Sequence, residues 1–230
     1  MSVKVPANIY VQQSADYSLP HPGQGYTGWQ KIDIPVNPEK TAIIVMHAWY
    51  IPPFEECPGQ YRMCEYIPRA DKIMEEKMPA FLDAARKAGI RIIHVGSLSE
   101  KSLSALPGYR RVCEKYPEYL FPRIEHDEET KALWDFHWSY AHCNAENAPG
   151  FAVAGKERDF KIRPLDSEDV VCTTNQLFGL CCEYGITHLI YTGFCINWCL
   201  TYSPCGLIDM NRHGIMCSAV GDLVTAVENK

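Results

Sequence analysis

The sequence predicts a single α/β domain with a mostly parallel central sheet and helices on both faces. Three observations carry this. Short apolar, β-branched runs recur at 41–47 (TAIIVMH), 90–95 (IRIIHV), 169–173 (DVVCT), 187–191 (THLIY) and 215–220 (IMCSAV). Such runs are apolar throughout rather than alternating, as strands buried on both faces are. Helical patterns lie between them, with short connections in the second half, and strand–helix alternation of that kind builds a parallel sheet covered on both sides.

Residues 1–40 are rich in Pro, Gly and Tyr and show no period. They are expected to form an extended arm laid over a domain spanning 41–230. The first strand is followed by a loop at 49–67, marked by Pro52, Pro53, Pro58 and Gly59. A helical pattern then runs over 68–88; Pro79 splits or kinks it, and Gly89 ends it as the left-handed residue past a helix terminus. Residues 97–167 mix charges, prolines and aromatics and are expected to be an irregular excursion with one or two short helices. Within it, Trp134, Phe136, Trp138 and Tyr140 alternate as an apolar edge or pocket wall does, or as a core or subunit contact. Helices are expected at 176–184 and 197–212, the latter with Pro204 in its first turns, and Asp222 is expected to cap a following helix.

Bulk properties narrow the partners. A net charge of −6 and a pI near 5.8 exclude a nucleic-acid face. No apolar run approaches the roughly 18 residues that a membrane span needs. The first residues lack the apolar core of a secretory signal, so a cytoplasmic location is expected. The eleven cysteines include no C-x-x-C pair, and several sit in apolar runs, which suits reduced thiols acting as small hydrophobes. Neither a dinucleotide fingerprint nor a P-loop occurs, so no cofactor is expected.

Sites in parallel sheets lie beyond the carboxyl ends of the strands. That edge collects His47, Gly96, Ser97, Thr174, residues 193–199 and Asp222. The most informative segment is 190–200, IYTGFCINWCL. It is a strand, a tight turn and then Cys199 at the mouth of a helix. Helix N-terminal amides favour a thiolate there and can hold an oxyanion. The plainer alternative is a small residue packed behind the strand. His47, ending the first strand, is placed to take and return the thiol's proton, or else to be a core histidine bonded to a loop carbonyl. Candidate walls of a substrate pocket are Trp49, Glu55, Trp138, Thr174 and Trp198. His47, His94, His137 and His142 are the conceivable metal ligands, but no zinc-like spacing occurs and no metal is expected.

TAIIVMHAW, MPAFLDAARKAGIRIIHV, GITHLIYTGFCINWCL and GIMCSAVGDLVTA together resemble the isochorismatase-like cysteine hydrolases, over roughly half the chain. The resemblance implies Cys199 as nucleophile, a cis peptide at Phe194–Cys195, and an oxyanion hole made by the backbone amides of Cys195 and Cys199. Two positions depart from that family. Its aspartate base is replaced by His47, and its lysine is missing from Cys172-Thr173-Thr174. The implied function is hydrolysis of a small amide or ureide through Cys199 and His47. The alternatives are a catalytically silent relative that binds a small molecule or partner, and non-covalent lyase or isomerase chemistry using His47. A small-molecule substrate and a homo-oligomer, dimer or tetramer, are expected.

Overall fold

The computed structural model describes residues 2–98, 100–120, 122–142, 147–149 and 159–228. The chain begins with β1 (Val3–Val11) and β2 (Gly28–Val36), paired antiparallel from Val3↔Val36 to Val11↔Gly28. The expected lone extended arm is therefore a hairpin. Its alternating residues satisfy one another's backbone groups, a pairing that the Pro- and Gly-rich composition masks.

β3 (Thr41–Met46) and the short β4 (Trp49–Tyr50) follow, then α1 (Pro58–Met63), α2 (Ile67–Glu76), α3 (Met78–Lys87) and β5 (Arg91–Val95). The expected loop at 49–67 thus holds a two-residue strand and a helix, whose first residue is Pro58, where proline's missing N–H costs nothing. The long helical pattern does divide, at Lys77, with Pro79 in the first turn of α3. Gly89 takes φ 71° just past its end. The excursion contains α4 (Glu100–Ser104), α5 (Pro107–Lys115), α6 (Glu128–His137), a π turn (Trp138–His142) and β6 (Asp159–Phe160), the last paired antiparallel with β4. Among the described residues that is three α-helices, where one or two were expected; residues 99, 121, 143–146 and 150–158 of this stretch lie outside the described residues.

The second half supplies β7 (Asp169–Val171), α7 (Thr174–Tyr184), β8 (His188–Phe194), α8 (Cys199–Tyr202), α9 (Leu207–Arg212) and β9 (Met216–Thr225). Gln176 Oε1 accepts from the Cys172 and Thr173 amides at 2.8 and 3.2 Å, which fixes the start of α7. The helix expected over 197–212 is broken at 203–206. Pro204 has no amide to continue the ladder, and Cys205 takes φ 66°. Among the described residues no helix follows Asp222, as its expected capping role required; it lies in β9 with Lys77 Nζ 3.7 Å away.

Five strands form one parallel sheet in the order β7-β5-β3-β8-β9. β3 is its centre and is buried along its whole length. Ala42, Ile44 and Met46 face α7 and α9, among Leu177, Leu180 and Met210. Ile43 and Val45 face α2 and α3, among Ile67, Met74, Met78 and Leu82. Two cores on opposite faces are the reason the strands read as continuous apolar runs. Among the described residues no helix is long and apolar enough to cross a membrane.

Candidate active site

From β3 the chain proceeds outward to β5 and β7 on one side, while β8 and β9 lie on the other. The chains leaving the carboxyl ends of β3 and β8 therefore turn to opposite sides at the switch in strand order, where sheets of this kind leave a crevice. His47 is the first residue beyond β3. It is buried, takes φ 52°, and donates its backbone N–H to Val95 O at 3.3 Å. A left-handed backbone at a histidine is uncommon; here it turns the chain off the strand at the crevice. The imidazole lies flat on Trp49, centroids 4.3 Å apart and planes 22° from parallel.

Beyond β8 the Phe194–Cys195 peptide is cis. The following turn is pinned by Asn197, whose side chain donates to Val227 O at 2.7 Å and accepts from its N–H at 2.9 Å. Thr201 Oγ1 also donates to Ile196 O. The amides of Ile196, Trp198, Leu200, Thr201, Tyr202 and Ser203 all donate to backbone carbonyls; those of Cys195, Asn197 and Cys199 have no such acceptor among the described residues. Cys199 itself is half-buried. Its helix is only four residues long, so the macrodipole expected from a continuous 197–212 helix is reduced to one turn.

Cys199 packs against the core on one face of the sheet, whereas Tyr66, Cys64 and Cys195 belong to the core on the other. Burial raises the Tyr66 hydroxyl well above its ordinary range, and these three thiols add to the effect. Burial likewise holds the Cys195 thiol far up, although the Tyr66 hydroxyl bonded to it opposes this.

A cavity of about 250 Å³ opens at this edge, lined by His47, Val95, Gly96, Ser97, Leu98, Leu103, Glu118, Cys172, Ser203 and Pro204. Tyr109 Oη donates to Glu118 Oε1 at 2.6 Å. Burial first, then the Glu118 carboxylate and Cys113, push the Cys172 thiol to about 12, so that thiol is neutral. A larger cleft of about 590 Å³ sits at the opposite, amino-terminal edge. Two of its carboxylates are structural. Glu168 binds Arg86 and His94 at 2.8 and 3.1 Å, and Asp169 binds Arg111 at 3.0 Å.

Of the residues singled out from sequence, His47, Gly96 and Ser97 line the smaller cavity; Cys199, Trp49, Glu55, Trp138, Thr174 and Trp198 do not. Thr174 is engaged structurally: its hydroxyl donates to Asp209 and accepts from the Cys205 amide. Glu55 is exposed on its loop, and Trp198 is 44% exposed. The aromatic set lies on α6 and the π turn, where alternate residues do not share a face. Trp134, Phe136, Trp138 and Tyr140 are all solvent-exposed, so they are not part of the core of this chain. His94 is fully buried on Glu168. Among the described residues, no three His, Cys, Asp or Glu side chains gather as a metal site. Sequence reasoning missed Glu118, Tyr109 and Ser203. The first two lie in the aperiodic excursion, where no local pattern marks a pocket residue, and Ser203 was hidden inside the expected helix.

No protein-family model matches this chain, and no curated protein matches it. Solved structures do. A cysteine hydrolase from Pseudomonas syringae pv. phaseolicola is 13% identical, covering 84% of this chain and 76% of that one, with a TM-score of 0.42. An isochorismatase from Pseudomonas putida is 20% identical, covering 82% and 72%, at 0.38. An isochorismatase family protein from Desulfovibrio vulgaris is 13% identical, covering 82% and 83%, at 0.41.

Proposed function

We propose that this chain is a hydrolase of small amides or ureides, with Cys199 as nucleophile and His47 as proton carrier. One observation carries the reading: the Cys195 and Cys199 amides lack backbone acceptors beside a half-buried thiol, at the sheet edge that also holds His47. Donors left unused at that point are suited to an oxygen that becomes negative as the carbonyl is attacked. Cys199 Sγ, its proton passed to His47, adds to the carbonyl carbon. The carbonyl oxygen takes the negative charge between the two amides. Collapse breaks the C–N bond, and the imidazolium returns the proton to the leaving amine. Water, deprotonated by His47, then cleaves the thioester and restores the thiol.

A second reading has its own support. The cavity is lined by His47 and Glu118 and not by Cys199, which suits non-covalent acid–base chemistry of the lyase or isomerase kind. Ammonia release from a panel of small amides and ureides, measured for the wild type and for Cys199→Ala and His47→Ala, tests both. The hydrolase reading expects release that both substitutions reduce at least a hundredfold. Turnover that survives Cys199→Ala but not His47→Ala would favour the second reading, and no turnover of any panel member would favour a silent binding protein.

Self-association belongs to the same reading. An isolated two-stranded ribbon is marginal in water, and the β1–β2 hairpin exposes Tyr10, Trp29 and Ile32.

A further inference from the structure

We infer that the carboxyl-edge cavity selects a substrate with a cationic, N–H-rich end, and that Glu118 is the residue that selects it. This rests on the small-amide reading above, with which the cavity shares His47, and names the substrate class.

Charge is the first ground. Among the described residues that line it, Glu118 is the only Asp, Glu, Lys or Arg. An anionic group entering the cavity meets that carboxylate with no lysine or arginine among those residues to offset it. A cationic group meets a partner.

Orientation is the second. Tyr109 Oη donates to one carboxylate oxygen, Oε1, at 2.6 Å. Among the described residues no hydrogen bond engages the other oxygen, which is open to a ligand. Two acceptors on a fixed carboxylate match the paired N–H groups of a guanidinium or amidinium. The ordinary role for an exposed glutamate is to be solvated, but Glu118 differs in having a hydroxyl partner that sets its direction at a cavity mouth.

The rest of the wall supplies the third. Leu98, Leu103, Val95 and Pro204 are apolar, Ser97 and Ser203 offer hydroxyls, and the Cys172 thiol is held neutral by burial. A volume of about 250 Å³ is below the usual range for drug-sized ligands. The wall therefore fits a short aliphatic stem, with Glu118 as its anionic group and His47 as its proton carrier. A linear molecule with a guanidinium at one end and a carboxamide at the other meets all of these surfaces.

The test uses the full chain and three probes of matched size: guanidinobutanamide (cationic), ureidobutanamide (its neutral isostere) and glutaramate (anionic). Binding is measured by calorimetry or ligand-observed NMR on the Cys199→Ala variant, so that turnover does not interfere. The cation is expected to bind about tenfold tighter than the isostere. Glu118→Gln should bring that ratio close to one, and Tyr109→Phe should lower it part of the way. Glu114→Gln, on the same stretch but outside the cavity, should leave it unchanged. Circular dichroism confirms that each variant is folded. Equal binding of cation and isostere, a ratio that survives Glu118→Gln, preference for glutaramate, or no binding of any probe overturns the inference. Ammonia release by the wild type is assayed separately. Charge-selective binding without ammonia release keeps this inference and removes the hydrolase reading; ammonia release without charge selectivity does the reverse.

Discussion

Gly193 presses against the carbonyl of Met46: a Cβ on Gly193 would lie 1.9 Å from Met46 O, and the glycine holds φ +112°. Met46 ends β3, and Gly193 is the residue before the last of β8. The contact keeps the two strands side by side up to the point where His47 and the 195–199 turn leave them. Gly193→Ala is therefore expected to cost more than about 3 kcal/mol or to prevent folding, because it combines a steric clash with a disfavoured backbone. Gly214→Ala is the control. Its φ is +80° with nothing within 4 Å of an added Cβ, so only the left-handed cost of about 1–2 kcal/mol applies. Urea unfolding of both variants checks this, and equal losses would refute the packing argument.

Thiol chemistry separates Cys199 from its neighbours. Burial pushes Cys172 and Cys181 to about 12 and Cys217 to about 11, and it holds Cys195 and Cys205 far up as well. Brief iodoacetamide treatment followed by peptide mapping should label Cys199 and the exposed Cys182 before any of these five. His47→Ala should slow labelling of Cys199 several-fold and leave Cys182 unchanged. Indifference of Cys199 to that substitution would break the proposed pairing.

Acid should find a weak point at the other edge of the sheet. Burial alone would raise Glu168, but hydrogen bonds from His94, Arg86 and the Leu165 amide outweigh it and hold the carboxyl at about 2, from an ordinary 4.5. A carboxyl depressed in the folded state stabilises the fold above its unfolded value, and that contribution is lost as pH falls from 4.5 toward 2. Burial lowers His94, so the unfolded state takes up its proton first as pH drops below 6.5, and stability falls there too. Thermal midpoints measured from pH 7 to 2 should decline through both windows. In Glu168→Gln the lower window should flatten.

The hairpin gives the last prediction. Trp29 is 73% exposed and stands edge-on to Tyr10, centroids 5.5 Å apart. Light scattering behind size exclusion should show a dimer or tetramer for the full chain. A Tyr10→Ser, Trp29→Ser double variant should lower the mass at low micromolar concentration while leaving the circular dichroism of the α/β body intact. A monomeric wild type would end the self-association reading.

The sequence by itself determined the strand set. Five apolar runs became the five strands of one sheet, because burial on both faces leaves a local signature, a run with no polar alternation. It also determined that Cys199 follows a strand end closely, since that spacing is covalent. Only tertiary structure decided the rest. The β1–β2 pairing joins residues too far apart for either strand to announce its partner. Pro204 and the left-handed Cys205 cut one expected helix into two short ones, a choice made by packing at the end of β8. Whether His47 shares a cavity with Glu118, a residue from an aperiodic stretch, depends on loops that cross the sheet edge from distant parts of the chain. Long-range placement of that kind is set by the closing of the whole sheet and not by any local pattern of residues.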